Sequence, residues 1–190
     1  MGDVTRIISG RAGGITLEVP GSGTRPTSDR VRESLFGALE SADAIDGARV
    51  LDLYAGSGAL GLEALSRGAA VAELVERAPA AAAIVRRNAA KVARAAGAAS
   101  ASVSVHRSAV ETFLRGARGP WDLVFLDPPY EVGDAGLDEV LAALAPLLSP
   151  DAVVVVERGR RSAGPDWEAA GLRADRDRTY GDTTLWWGRL

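Results

Sequence analysis

The chain has 190 residues, with 22 Lys+Arg against 25 Asp+Glu, one histidine and no cysteine. Hydrophobic residues at 47% and charged residues at 25% describe an ordinary globular protein, long enough for one compact domain with a sizeable core. Without cysteine there is no disulfide framework, thiolate metal site or thiol nucleophile, and His106 alone cannot build a multi-histidine metal centre, so no metal is expected.

No apolar run approaches the roughly 18 residues of a bilayer span, and Met1–Gly10 lacks the apolar stretch of a signal peptide. A soluble cytoplasmic protein without membrane contact is expected. Lys91 is the only lysine. A GC-rich coding bias is the simplest account of a chain so rich in arginine and alanine.

In chain order, Ile7–Gly10 and Ile15–Val19 read as two short strands around a turn holding Gly10, Gly13 and Gly14, a hairpin within an N-terminal extension over residues 1–24. The main domain then spans residues 25–190 and starts with a leading helix inside 25–49. Thr27 or Ser28 caps that helix, Val31, Leu35 and Leu39 have helical spacing, and Asp29 and Glu33 favour its first turns. Val50–Tyr54 is a strand, followed by a glycine turn and a helix through Leu65. Strand Val71–Val75 precedes a helix from Pro79 to about Ala96 that stops at Gly97. Strands Ser102–His106 and Leu123–Leu126 flank a short helix at Val110–Leu114. A helix over Leu137–Leu147 leads to the buried strand Val153–Val156, and two more strands are expected near Leu172 and at Thr183–Trp187. The alternation predicts an α/β fold with a doubly wound, mostly parallel sheet. In the Trp186-Trp187 pair, one ring should point inward and one outward.

Gly56-Ser57-Gly58-Ala59-Leu60-Gly61 fits G-x-G-x-x-G between a strand and a helix, where glycines let the backbone turn tightly against a ligand. Glu76, at the end of the second strand, is placed to accept both ribose hydroxyls of a nucleoside. These features also describe a nicotinamide dehydrogenase. Asp52, inside the first strand, tilts the choice: a carboxylate is unwelcome beside a diphosphate but useful beside an amine or sulfonium. The plainer role for Asp52 is to accept hydrogen bonds from the loop, and both roles are compatible.

Asp127-Pro128-Pro129-Tyr130 follows a central strand, at the carboxyl end where doubly wound folds bind ligands. Two prolines remove two backbone donors and leave carbonyls rigidly aimed. With the Asp127 carboxylate and the flat face of Tyr130, they form a receptor for a planar ring bearing an NH₂ group. Two acceptors on that amine would free its delocalised lone pair, and Asp127 would stabilise the cationic nitrogen formed on attack. The alternative is that Asp-Pro-Pro only ends a strand and Tyr130 is a core aromatic.

The segments Arg25–Phe36, Leu51–Ala64 and Asp127–Tyr130 resemble the RsmD family of bacterial methyltransferases that modify guanine N2 in small-subunit ribosomal RNA. The likeness runs in the same order from about Arg6 to the final strand. It implies a Rossmann-like class I methyltransferase sheet of seven strands with the last antiparallel. It also implies S-adenosyl-L-methionine as donor, leaving S-adenosyl-L-homocysteine. Asp52, Gly56 and Gly58 would meet the methionine end and Glu76 the ribose, with Tyr54, Ser57, Arg77, Ser108 and Ala109 completing the cofactor contacts. Asp127, Pro128, Pro129 and Tyr130 would be the catalytic group. The implied partner is 16S ribosomal RNA, in an assembled or partly assembled small subunit, with no obligate protein partner. The Arg-Pro-Thr helix would lie beside the target pocket, bringing Thr27 and Arg30 to substrate or cofactor. The chain departs from the family where its basic hairpin cluster is replaced by neutral Ala12–Thr16, leaving Arg6 and Arg11, and where Ser108-Ala109 replaces an Asp or Asn after the third strand.

Residues 5–32 hold five arginines (Arg6, Arg11, Arg25, Arg30, Arg32) against Glu18 and Asp29, a net +3 inside a chain of net −3. This predicts a small basic patch on an acidic body, with Arg158, Arg160 and Arg161 as a second cluster beside the site. A target guanine must be unstacked or already exposed to reach Asp127. His106, with no evident partner, is assigned a structural role. Competing readings are methyl transfer to adenine N6 or a protein glutamine, a nicotinamide oxidoreductase, and a binding-only module.

Overall fold

The protein's structure, a computed structural model, describes residues 5–21, 28–97 and 102–190. Arg25 and Thr27, two of the expected substrate contacts, lie outside the described residues.

The described chain forms helix α1 (Asp29–Ser41), strand β1 (Arg49–Leu53), α2 (Ala59–Ser66), β2 (Val71–Val75), α3 (Pro79–Ala96) and β3 (Val103–His106). It continues through α4 (Val110–Gly116), β4 (Trp121–Leu126), α5 (Asp134–Leu144), β5 (Leu148–Gly159), β6 (Arg173–Tyr180) and β7 (Thr183–Arg189). The strands make one seven-stranded sheet of order β3-β2-β1-β4-β5-β7-β6. The first five pair in parallel, and β7 runs antiparallel between β5 and β6. This is the doubly wound α/β sheet expected from the alternation of periodicities.

Period-2 alternation divides the core between the two faces. Leu51, Leu53, Val124, Leu126, Val154 and Val156 pack against α4 and α5, while Val50, Leu123, Phe125, Val153 and Val155 pack against α1 and α2. Ala72 and Leu74 meet α2 and α3. Ser28 caps α1 by accepting from the Val31 N–H, and Gly97 closes α3 in a left-handed conformation. Trp187 is buried and stacks under Arg176, whereas Trp186, expected to lie at the surface, is half-buried against the core on the other face of the sheet. The edge strand β6 exposes Arg173, Asp175, Arg176, Asp177 and Arg178, charges that discourage pairing with another chain.

The expected N-terminal hairpin forms only a minimal ladder, in which Ile7 pairs with Ile15 and Leu17 with Thr5, rather than two full strands. A single antiparallel bridge joins Arg6 and Thr16. The reason lies in where the backbone donors go. Ile8 and Ser9 N–H donate to the Glu63 carboxylate at 2.7 and 3.0 Å, Arg11 N–H to the Ser66 carbonyl, and Ala12 N–H to Ser66 Oγ. The segment is thus tied both to itself, through the Ile7 N–H to the Ile15 carbonyl, the Gly14 N–H to the Ile7 carbonyl and the Leu17 N–H to the Thr5 carbonyl at 2.8–2.9 Å, and to α2. Gly10 is required at the contact, since a Cβ there would meet the Ser66 carbonyl oxygen at 2.1 Å and φ is +83°.

Glu63 is fully buried and holds this junction. Besides the two N–H groups, it accepts from Arg67 Nε at 2.7 Å and lies 3.8 Å from Arg32 Nη1. Arg32, only 1% exposed, donates to the Arg6 carbonyl and to Asp29. Arg32 was counted toward a surface patch, and burial removes it; Arg6 in turn faces Asp29 at 3.6 Å. The N-terminal region presents less free positive charge than its composition suggests.

Removing one partner of a buried charge network costs about 3–5 kcal/mol. Glu63→Ala should lower stability by about that amount and expose residues 5–21 to amide exchange, while Glu63→Gln, which keeps an acceptor, should cost about half as much. Denaturant unfolding combined with hydrogen exchange checks both.

Candidate functional site

Strand register brings the site together. His106, Val75, Leu53, Leu126 and Val156 are neighbours across β3, β2, β1, β4 and β5. Arg107, Glu76, Tyr54 and Asp127 therefore emerge together at the carboxyl edge, in one row with Glu157 of β5, a strand that runs on to Gly159. Three of the five are carboxylates.

Asp52 lies two rows below them and is 2% exposed. Its Oδ2 accepts the Gly61 N–H at 2.9 Å, so it does shape the turn. A Cβ on Gly61 would sit 3.0 Å from the Asp52 Cβ, and glycine alone lets the helix approach this closely. Burial raises the Asp52 pKa to about 7; the Gly61 hydrogen bond opposes this and Glu76 adds to it. The loop above is held in left-handed turns at Tyr54 (φ 63°), Gly56 (57°) and Gly58 (81°). Glu76 accepts the N–H groups of Gly56 and Ala78 at 3.1 and 2.8 Å, one through each oxygen. Each oxygen retains lone-pair capacity for a hydroxyl donor. Asn88 of α3 donates to the Ser57 carbonyl and to the Glu18 carbonyl, linking the loop to the N-terminal segment.

Asp127 is partly buried, and its pKa is raised well above the ordinary value by burial, then by Glu157 and by Asp52. Pro128 is buried, Pro129 is exposed, and Tyr130 is 91% exposed. Tyr130 is therefore not a core aromatic. It sits in a turn closed by the Val132 N–H donating to the Pro129 carbonyl at 2.9 Å. That turn is pinned from β5: Arg158 donates to the Val132 carbonyl at 2.8 Å and to Asp134 at 2.7 Å. Arg158, expected to touch RNA, is only 8% exposed, so its guanidinium is spent on the Tyr130 turn and cannot meet a phosphate. Arg160 and Arg161 are exposed beyond it.

Tyr54 is half-buried, and its hydroxyl, which has no hydrogen-bond partner among the described residues, has its pKa pushed up to about 12 by burial and by Glu111, with Arg77 opposing. Arg77 is exposed, and Ser108 and Ala109 are half-buried after β3, with Ser108 Oγ donating to the Ala109 carbonyl. Arg6, Arg11 and Arg30 are exposed on the N-terminal side. His106 does have a partner: its Nε2 lies 3.0 Å from Glu73, which also accepts from the Trp121 indole. That pair sits below the edge, against Phe113, in a structural position. Sequence reasoning missed Glu157, although an acid directly after the Val153–Val156 run was a readable sign. It also missed Asn88, for which no local signal exists. Among the described residues, no group of three or more His, Asp or Glu could hold a metal ion.

The chain matches the family model described as Conserved hypothetical protein 95 over residues 5–189. It is 45% identical over 129 residues to Ribosomal RNA small subunit methyltransferase D of Escherichia coli (strain K12), a match spanning 67% of this chain and 61% of that relative. It is 37% identical over 192 residues to the candidate rRNA methyltransferase YlbH of Bacillus subtilis (strain 168), covering 94% of this chain and 95% of that one. The solved structure of the candidate methyltransferase yhhF from Escherichia coli superposes with a TM-score of 0.83 at 35% identity, covering 98% of both chains. The sheet is thus the Rossmann-like class I methyltransferase sheet. With the family model matched from end to end of the fold, the chain belongs to the RsmD family.

Proposed function

We propose that the protein transfers a methyl group from S-adenosyl-L-methionine to the exocyclic N2 amine of a guanine in 16S ribosomal RNA, in the cytoplasm, on an assembled or partly assembled small ribosomal subunit. The single observation that carries this reading is the set of carboxylates at the carboxyl edge. Burial raises the pKa of both Asp52 and Asp127, and repulsion from neighbouring carboxylates adds to it, from Glu76 at Asp52, and from Glu157 and Asp52 at Asp127. A cationic ligand relieves that repulsion, which is the fit this cofactor requires.

Asp52 would hold the cationic end, Glu76 the ribose, and the Gly56–Gly58 turn with Tyr54, Ser57 and Arg77 the intervening atoms, with Ser108 and Ala109 toward the base. When bound, the cofactor supplies a methyl group already activated by its sulfonium. Everything else falls to this chain. The Asp127 carboxylate and the Pro128 carbonyl accept the two N–H bonds of the target amine, which localises its lone pair. The exposed Tyr130 offers its face to an extruded base. As the N–C bond forms, the methyl–sulfur bond would break to leave S-adenosyl-L-homocysteine, and the nitrogen sheds one proton to Asp127, which relays it to water. Arg158 fixes the Tyr130 turn and so acts as a positioning residue. Arg6, Arg11, Arg25, Thr27, Arg30, Arg160 and Arg161 are the candidates for RNA contact.

Labelled S-adenosyl-L-methionine offered with unmodified small subunits, naked 16S RNA and duplex DNA should label RNA. Incorporation into DNA alone would sink the assignment. Asp127→Ala should abolish transfer while leaving cofactor affinity nearly intact.

A second prediction concerns pH. The folded-state pKa of Asp52, about 7, exceeds its ordinary 3.8, so the folded protein holds an extra proton between those values. Its stability therefore falls as pH rises from about 4 to 7 and stays lowered above. Asp52→Asn keeps an acceptor for Gly61 and removes this penalty. It should match the wild type near pH 4 and exceed it at pH 8, by at most roughly 4 kcal/mol, yet lose cofactor binding. Thermal unfolding and calorimetry at both pH values read the two effects.

Arg158→Met should raise KM for the RNA substrate roughly tenfold or more and leave cofactor affinity unchanged, with partial rescue in Arg158→Lys. An unchanged KM in Arg158→Met would show that the turn needs no pin.

A further inference from the structure

Helix α3 carries Arg86, Arg87, Lys91 and Arg94 and no acidic residue in its 18 positions, within a chain of net charge −3. Two of these cations are committed. Arg87 pairs with Glu18 at 2.6 Å, and Lys91 donates to the Thr16 carbonyl at 2.7 Å. Arg86 and Arg94 are exposed and make no ion pair or hydrogen bond among the described residues. They stand at the two ends of a groove of about 490 Å³ between α3 and the edge strand β3, floored by Ala89, Ala90, Ala93, Val103 and Val105.

The groove has three properties that select an occupant. No acid lines it. Its floor is small and apolar, so an extended chain can lie close to the helix. Its guanidiniums are eight residues apart on one helix face, about 12 Å along the axis. It also leads toward the site. Arg77, just before α3, and Arg107, just after β3, are both exposed at the carboxyl edge where Glu76 and His106 are joined by a backbone hydrogen bond of 3.0 Å. The cations therefore follow one flank from the carboxyl edge down the side of the sheet.

We propose that the α3–β3 flank is a docking surface for the sugar–phosphate backbone of the RNA, with Arg86 and Arg94 on phosphates and the alanine and valine floor under the riboses. The assignment rests on the RNA reading above and adds a contact surface outside every residue named for that reading. An acidic protein would meet the same charge. RNA is favoured because the flank is continuous with the edge that must receive a nucleotide, and because guanidiniums suit phosphate geometry.

The test is the double variant Arg86→Gln/Arg94→Gln, compared with Arg173→Gln/Arg178→Gln on the opposite sheet edge, which removes equal charge. Binding to naked 16S RNA and to small subunits is measured across a salt series, together with methyl transfer and cofactor affinity. The α3 variant should bind RNA roughly tenfold more weakly at low salt, and its slope of log affinity against log salt should be shallower by about 1.4–1.8. Cofactor affinity and kcat should be unchanged and KM raised. Equal losses in both variants would reduce the effect to net charge and overturn the surface. So would no loss in either, or a loss confined to small subunits with naked RNA unaffected, which would assign the flank to an acidic protein. If the wild type labels no RNA, the proposed reaction fails. A selective loss of RNA binding in the α3 variant would still establish the surface.

Discussion

Parallel register is the constraint on which the site depends. Four strands end at the same level beside the longer β5, and the sequence places a carboxylate at that edge on β2, β4 and β5 and another, Asp52, inside β1. Apolar side chains below these groups remove water, so each negative charge raises the cost of the next. The arrangement is tolerable because Gly61 and the N–H groups of Gly56 and Ala78 donate to it. It is not neutralised by them. A protein selected only for stability would not keep Asp52 and Asp127 in these surroundings, whereas one that must attract a cation and hold an amine gains from both.

A second, separate acid sustains the frame. Glu63, on α2, faces away from the edge and collects the N-terminal segment, Arg67 and Arg32 around one fully buried carboxylate. The same segment reaches Asn88 through Glu18, and Asn88 also takes the Ser57 carbonyl. The N-terminal residues thereby bear on the glycine loop by way of α3. What reads in sequence as an extension is a brace for the turn that is proposed to contact the cofactor.

Much of this was legible because it is periodic or local. Alternating apolar patterns reproduce the sheet, Gly97 and Ser28 mark helix ends, and the Asp52, glycine-loop and Asp127 motifs fall on the strand ends where such chemistry belongs. What escaped is long-range. The pairing of Ile8 and Ser9 with Glu63 spans more than 50 residues, so the sequence shows the short N-terminal hairpin but not that it is fastened to a helix. Arg158 and Arg32 looked like surface charge because nothing local signals burial. Their partners, Asp134 and Glu63, are brought in only by the fold. Likewise Glu73 lies on another strand from His106, and only pairing of β2 with β3 unites them.

The near-neutral Asp52 has a thermodynamic consequence for occupancy. Near pH 7 the free protein carries a proton there in a substantial fraction of molecules. A cation settling beside the carboxylate displaces that proton, so association exchanges one positive charge for another rather than simply adding one. The heat released on binding then includes ionisation of whatever buffer receives the proton. Occupancy of the proposed site would thus be coupled to the proton activity of its surroundings through a side chain that takes no part in proton transfer from the substrate.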